Sequence, residues 1–583
     1  MATGKKLINS VDTVVEETLT GLCLTYPQLE FHSSKRVVLV PDWKNRSGKV
    51  AVVSGGGSGH EPFAAGFVGS GLLTASIAGS VFAAPPSNHI LHALKCVSTN
   101  NKAGILVIVP NYTGDCLNFG IAIEKARQAG LTVAELTVGE DCSIPISEQG
   151  RAGKRALVGL IFVSKIAGAL AERGQSLADV TTSAEIVASN IATYAVGLSG
   201  CALPGQTTLY NIPDDEIEIG LGVHAEAGYK RIKLMNAAEV TALMLEQIEK
   251  ILSLVNGNSV AVIVNNFGAT SQLEQGIIVR EVVTQLKYKG IKPLRVYAGV
   301  LMTCLNSAGV HISILKLPEH YKDTLISCLD EKTNAPSWPG CDYSLPVDIP
   351  REPFYEEKRK RTVRVGRALN EAEEALLQKC LKNASTALIE QEAIINDLDS
   401  GCGDGDCGTT LRHLAEGILA SIDSLSLSYP SSLLSELSNI AEECMGGTSG
   451  AIYCLMFTTA ATELALAKQD ESWMHSWAHA WRGGLEGIMR YSKARLDDRT
   501  MLDALDAACK EFEGHLSRPY KEAAVKAAEA ARLGCNSTKD MKPKAGRASY
   551  VSQAIYLQGV DAGAYAVSIW IDAIAKTLVN FEP

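Results

Sequence analysis

Short aliphatic runs alternate with helical patterns along the first half of the chain. Lys49 to Ser54, Gly104 to Val109 and Ser259 to Asn265 carry Gly or Asn at their ends and read as buried strands. Helix-period stretches lie between them, which predicts an α/β unit with mainly parallel sheets. In Glu216-Ile217-Glu218-Ile219-Gly220-Leu221-Gly222-Val223-His224 the apolar residues occupy every second position, the period of a half-buried strand. Further along the pattern turns helical. Leu376, Leu377, Cys380, Leu381, Ala384 and Leu388 draw one apolar stripe along a helix, and Ala/Leu-rich helical stretches continue to the C-terminus. The second half is expected to be all-α.

Between the two patterns, Pro336, Pro339, Pro346, Pro350 and Pro353 lie close together, followed by the charged stretch Glu356 to Arg364. This composition reads as a linker over 334–366. It separates an α/β domain, 1–333, from a helical domain, 367–583. A length of 583 residues agrees, since one hydrophobic core seldom serves so long a chain.

Composition narrows the function. The net charge is −10 and no Lys/Arg stripe is interleaved with aromatics, so a nucleic-acid partner is not expected. Any substrate phosphate must be met locally. The start, Met1-Ala2-Thr3-Gly4-Lys5-Lys6, lacks the apolar region of a signal peptide, and no apolar run reads as a membrane span; Ala156 to Leu170 is broken by Lys165. The 15 cysteines are scattered, which fits reduced thiols in a cytoplasmic protein. Cys402 and Cys407 lack a matching second pair and read as loop packing rather than zinc ligands.

The densest chemistry is Leu398-Asp399-Ser400-Gly401-Cys402-Gly403-Asp404-Gly405-Asp406-Cys407-Gly408-Thr409-Thr410, three carboxylates and four glycines in one turn-forming stretch. Carboxylate oxygens are hard ligands suited to Mg²⁺ or Ca²⁺, and glycine lets the backbone aim several side chains at one point. An EF-hand would need oxygen ligands where Gly401 and Gly403 stand. Because Mg²⁺ keeps waters and substrate phosphates in its shell, Asp399, Asp404 and Asp406 beside Gly408, Thr409 and Thr410 read as a metal-phosphate site. The plain alternative is a solvated Asp/Gly turn.

In the first half, two loops stand where ligands of open α/β sheets bind, after strands. One is Ser54-Gly55-Gly56-Gly57-Ser58-Gly59-His60-Glu61-Pro62; the other is Asn111-Tyr112-Thr113-Gly114-Asp115. The first is neither a Walker A loop nor a Rossmann fingerprint. His224, at a strand end on the same face as Gly220 and Gly222, is expected to rim a hollow and present its ring to a small molecule; an ordinary structural histidine is the alternative.

These motifs, together with Gly446-Gly447-Thr448-Ser449-Gly450, Asp498-Arg499-Thr500-Met501-Leu502-Asp503 and Gly546-Arg547-Ala548-Ser549-Tyr550, appear in the order found in the single-chain ATP-dependent dihydroxyacetone kinases, also called glycerone kinases or triokinases, and the chain resembles that family over almost its whole length. The resemblance implies a DhaK-type α/β substrate domain, a linker, and a DhaL-type nucleotide domain built as a barrel of about eight helices. It implies that His224 bonds covalently to the substrate carbonyl carbon as a hemiaminal, which selects a ketone or aldehyde over an alcohol. Asp115 would then be the general base and His60 would orient the substrate, with Gly57, Ser58 and Gly59 lining the pocket. Asp399, Asp404 and Asp406 would hold Mg²⁺. Gly408, Thr409, Thr410, Leu411, Thr448, Ser449, Ser492, Thr500, Met501, Asp561, Ala562 and Gly563 would contact ATP.

One departure is plain: Pro110 stands where the family commonly has a substrate-touching lysine. Animal-type members that resemble this chain also split FAD into AMP and cyclic FMN, with Mn²⁺ or Co²⁺ as candidate metals. A sugar-binding regulator that has lost transfer is the non-enzymatic alternative, and the three aspartates argue against it. The resemblance also implies a homodimer in which the helical domain of one chain serves the substrate domain of the other.

Overall fold

In a computed structural model of the chain, the apolar runs of the first half become central strands of two six-stranded sheets. The structure describes residues 4–340, apart from 146, 147, 149, 209 and 225, and residues 366–582, apart from 402, 469 and 551–558. The first sheet contains β1 (Glu30–His32), β2 (Val37–Leu39), β3 (Ala51–Ser58), β4 (Ala75–Val81), β5 (Ile105–Pro110) and β6 (Val133–Val138), in the order β1-β2-β4-β3-β5-β6. β3 runs parallel to β4 and β5, and β5 parallel to β6. Every residue of β3 and β5 is buried, because helices cover the sheet; this is why those strands read as continuous rather than alternating apolar runs. The covering helices are α1 (Val14–Thr25), α2 (Ser87–Val97), α3 (Thr113–Gln128), α4 (Leu160–Glu172) and α5 (Leu177–Ser189). α4 is buried from Leu160 to Ala171, and the Lys165 that breaks its apolar run donates from Nζ to the Cys328 carbonyl at 2.7 Å.

The second sheet contains β7 (Ile191–Gly197), β8 (Glu216–Ile219), β9 (Lys230–Lys233), β10 (Ser259–Asn266), β11 (Lys292–Gly299) and β12 (Gly309–Leu317), in the order β11-β10-β12-β7-β8-β9. It corrects the expectation of mainly parallel sheets. Only β10 and β11 pair in parallel; β12 inserts antiparallel between β10 and β7, and β8 and β9 extend the antiparallel half. α6 (Ala237–Leu252) and α7 (Gln272–Tyr288) pack on this sheet, each opened by a capping box, Asn236 with Glu239 and Ser271 with Glu274. α8 (Lys322–Asp330) packs on α4.

The chain divides into two compact units, 1–350 and 351–583. Most of the stretch expected as a linker, 341–365, lies outside the described residues. Residues 334–340 belong with the first unit, where Ala335 and Trp338 are buried in the core.

Among its described residues the second unit has helices and no strand: α9 (Glu371–Glu390), α10 (Glu392–Ser400), α11 (Cys407–Ser421), α12 (Pro430–Cys444), α13 (Gly447–Leu466), α14 (Trp473–Tyr491), α15 (Met501–Gly514), α16 (Tyr520–Ser537) and α17 (Ala562–Asn580). From α11 to α17 each helix packs on the next, and both α11 and α17 pack on α9, so eight helices close a ring with the short α10 inserted beside it. The stripe of Leu376, Leu377, Cys380, Leu381, Ala384 and Leu388 faces the lumen, a cavity of about 800 Å³. The two helices α13 and α17 are long and apolar enough by composition to cross a bilayer, which corrects the reading that no run reaches that length. Both are staves of the ring, with flanks against neighbouring helices and an apolar inner side.

Candidate active site

In the first unit, β3 carries the glycine run inward: Ser54 to Ser58 belong to the strand itself rather than to a loop after it. Gly59 then turns with φ +98°, and a Cβ there would sit 2.7 Å from Phe82 Cε1, so the turn requires glycine. That turn delivers His60 into the interior. Its Nδ1–H donates to the Thr303 carbonyl at 3.0 Å, and its Nε2 faces Nε2 of His224 at 3.2 Å. The Ser58 hydroxyl is committed to the Gly79 carbonyl at 2.8 Å. Gly57 has no room for a side chain, since its Cβ would lie 2.9 Å from the Ala83 nitrogen.

His224 stands on a different element from the one expected. β8 ends at Ile219, Gly220 turns with φ +73°, and His224 lies in the bend beyond, so the alternating face does not extend to it. Gly222 leaves space for the Glu226 carboxylate rather than for a ligand hollow. Glu226 Oε2 accepts the His224 backbone N–H at 2.8 Å while Oε1 takes Arg155 Nη1 at 3.0 Å, and Arg155 is tied to Asp141 and to the Gly220 carbonyl. The His224 ring is walled by Tyr112, His60 and Phe82, with ring centroids at 4.5, 4.6 and 5.7 Å. Burial, aided by the Arg155 guanidinium, pulls its pKa down to about 4, so the imidazole is neutral at physiological pH.

Asp115 lies in the first turn of α3, directly after β5, with Pro110 as the last residue of that strand. The carboxyl is buried, Oδ1 has no hydrogen-bond partner, and desolvation pushes its pKa up to about 7. Gly56 brings the β3 backbone beside it, with a Cβ position 3.7 Å from Asp115 Oδ1 and 4.0 Å from Pro110 Cγ.

In the second unit, one carboxylate oxygen from each of Asp399, Asp404 and Asp406 lies within 4.8 Å of the other two. Asp399 ends α10 and its Oδ2 accepts the Gly405 and Asp406 N–H groups at 3.0 and 3.2 Å; Gly405, at φ +75°, folds the loop back. Asn396, one turn before Asp399, accepts from Gly408 N–H at 2.7 Å and Thr409 N–H at 3.1 Å, and its Nδ2 donates to the Thr409 hydroxyl. It pins the start of α11 to the acidic loop. The sequence reading missed it, although the Asn-x-x-Asp spacing puts both side chains on one helix face.

Around this loop the helix starts gather. Gly408, Thr409 and Thr410 open α11, with Leu411 turned into the core; Thr448 and Ser449 open α13; Thr500 caps α15 ahead of Met501; Asp561 caps α17 ahead of Ala562 and Gly563. Gly563 lies against Met501, and Ser449 reaches the Cys407 thiol. Ser492 sits at the end of α14, its hydroxyl accepting from the Ala494 N–H. Helix N-termini present positive dipole ends, which suits phosphate. Burial, reinforced by the Asp503 and Asp399 carboxylates, pushes Asp561 up to about 6. Crowded carboxylates of this kind fit a hard divalent cation, whose charge relieves their mutual repulsion.

Residues 20–337 match the Dak1 domain family and residues 401–576 the DAK2 domain family. The chain is 39% identical to the triokinase/FMN cyclase of Mus musculus, over 98% of this chain and 99% of that one. Among solved structures, the dihydroxyacetone kinase of C. freundii in its native form superposes with a TM-score of 0.65 at 31% identity, covering 98% of this chain and 99% of the other. The same enzyme in complex with AMP-PNP and Mg²⁺ gives 0.63 at 31% identity, with coverages of 99% and 100%. An α/β Dak1 domain followed by a helical DAK2 domain defines a class of two-domain kinases. The chain belongs to that family, the dihydroxyacetone kinases and triokinases.

Proposed function

We infer that the chain transfers the γ-phosphoryl group of ATP to a primary hydroxyl of dihydroxyacetone, and of D-glyceraldehyde, with residues 1–333 as the triose-binding domain and 367–583 as the Mg-ATP domain. The observation that carries this reading is the half-buried, neutral His224 facing the buried His60. Net addition of a ring N–H across a C=O gives the hemiaminal: a His224 nitrogen bonds to the carbonyl carbon, and the C=O π pair takes up a proton as a hydroxyl. Thr303 holds the His60 proton on Nδ1, so His60 Nε2 offers a lone pair to relay the proton lost by His224. A neutral imidazole is required, and burial keeps both rings neutral, His60 at a pKa of about 3.

For transfer, Asp115 takes the proton of the attacking hydroxyl while the γ-phosphorus bond to the ADP oxygen breaks. A carboxyl with a pKa near 7 is matched to that exchange at physiological pH. Asp399, Asp404 and Asp406 would hold Mg²⁺, which when bound neutralises polyphosphate charge. Gly408 to Thr410, Thr448, Ser449, Thr500, Met501 and Asp561 to Gly563 would meet the nucleotide from helix starts and Ser492 from the end of α14, with Leu411 packed behind them in the core. Full-length likeness to a triokinase/FMN cyclase supports a second reaction at that site, cleavage of FAD to AMP and cyclic FMN with Mn²⁺ or Co²⁺. We further propose a cytoplasmic homodimer.

The test is ADP release with dihydroxyacetone, glyceraldehyde and glycerol, beside a separate FAD-cleavage assay. Turnover with both carbonyl substrates and none with glycerol is expected. Equal turnover of glycerol would overturn the carbonyl-adduct reading.

A further inference from the structure

Away from these sites, β1 and α2 bring three borderline or soft donors to one point. His32 ends β1, while His92 and Cys96 are four residues apart and share one face of α2. His32 Nδ1 is 2.9 Å from His92 Nε2, and the Cys96 sulfur is 3.6 Å from His92 Nε2 and 3.9 Å from His32 Nδ1. In a tetrahedral zinc site with ordinary bond lengths, donor atoms stand about 3.3 Å apart for N and N and about 3.6 Å for N and S. The observed separations straddle these values, so a shift of a few tenths of an ångström in the His32 ring would seat an ion.

The surroundings are those of a ligand set. His32 Nε2–H donates to Glu30 Oε1 at 2.9 Å, and the other Glu30 oxygen accepts Trp43 Nε1–H at 2.9 Å. This fixes the His32 tautomer with its Nδ1 lone pair toward His92 and Cys96, the carboxylate–histidine pairing that orients metal-bound imidazoles. A divalent ion, a Cys96 thiolate and the Glu30 carboxylate sum to zero charge, so the half-buried site needs no further counter-ion. The donor set also differs in kind from the aspartate loop: nitrogen and sulfur select zinc, oxygen selects magnesium.

We propose that His32, His92 and Cys96 bind one zinc ion, with Glu30 orienting His32 and a water in the fourth position, so that the ion ties the edge strand β1 to helix α2. The Cys96 thiol proton leaves on binding. His89, on the same helix one turn before His92, has a buried Nδ1 with no hydrogen-bond partner and is the candidate to replace that water.

The full chain, stripped of metal and titrated with Co²⁺ in excess Mg²⁺, tests this. The thiolate-to-cobalt charge-transfer band and strong tetrahedral d–d absorption should saturate at one equivalent, be displaced by Zn²⁺, and vanish in Cys96→Ser and His92→Gln while surviving in Asp404→Ala. Glu30→Gln should weaken zinc binding by about 10–100-fold. A parent protein without the band, or a band that persists in Cys96→Ser, overturns the proposal. Should Cys96→Ser misfold, unchanged zinc affinity in both His32→Gln and Glu30→Gln overturns it equally.

Discussion

Nε2 of His60 and Nε2 of His224 face each other at 3.2 Å with the two rings 85° apart, and the Thr303 carbonyl decides which of them carries the proton. With His60 protonated on Nδ1, the shared proton belongs to His224. His224→Ala should therefore show no mass adduct with dihydroxyacetone and no triose phosphorylation, while FAD cleavage survives. His60→Ala should still form the adduct but slow its appearance by about 10²-fold or more. A fast adduct in His60→Ala would remove His60 from the proton path.

Asp115 should set the acidic limb of the pH profile. Because His224 is neutral above a pKa of about 4, a rise of kcat/KM with an apparent pKa near 7 belongs to ionisation of Asp115. Asp115→Asn should lower kcat by about 10²–10⁴-fold and abolish that limb. The linkage has a definite sign. The folded pKa of about 7 lies above the ordinary 3.8, so the folded state holds this proton more tightly than the unfolded chain and its stability falls as pH rises from about 4 to 7. Denaturant midpoints of Asp115→Asn should decline less over that window than those of the parent.

The aspartate loop acts on both reactions or on neither. Asp404→Ala or Asp406→Ala should depress triose phosphorylation and FAD cleavage alike, by on the order of 10²-fold or more, and chelation should do the same to the parent. Near-normal turnover at saturating Mg²⁺ would mean that the carboxylates only shape a turn.

How far the sequence showed these sites depended on what kind of signal carried each part. Asp399, Asp404 and Asp406 lie within eight residues, so a local reading suffices to bring them together. His224 was singled out for a reason the structure replaces: alternation predicts a strand to residue 224, whereas Gly220 at φ +73° ends it and Glu226 with Arg155 holds the histidine. Arg155, Asp141 and Thr303 were not legible, since they meet only when the two sheets are packed. Strand direction in the second sheet was equally hidden, because an apolar run reads the same whether its neighbour is parallel or antiparallel. The ring of helices was legible as helices, but the contact of α17 with α9 that closes it joins the two ends of the unit.

Gly222 offers a test of the His224 support that leaves every catalytic group in place. A Cβ there would overlap the Glu226 carboxylate and stand 2.6 Å from Arg155 Nη1. Gly222→Ala should displace Glu226, free the His224 backbone N–H, and lower triose kcat/KM by about 10–100-fold, the equivalent of one charge-assisted hydrogen bond. The KM for ATP should not move. If it rises in parallel with the triose defect, the substitution has disturbed more than the His224 support.

The carbonyl site and the nucleotide site belong to different units of one chain, so phosphoryl transfer requires a first unit and a second unit to come together. A Pro-rich connection permits pairing within a chain or between chains. The crossed homodimer is the arrangement we propose, and complementation separates the two. Neither a His224→Ala chain nor an Asp404→Ala chain should phosphorylate dihydroxyacetone alone. In a crossed heterodimer, one site combines the intact first unit of the Asp404→Ala chain with the intact second unit of the His224→Ala chain, and the other site carries both defects. Mixing under conditions that exchange chains should then restore up to half of the parental turnover per heterodimer. With pairing inside each chain every site keeps one defect, so heterodimers that are demonstrably formed yet inactive would refute the crossed arrangement.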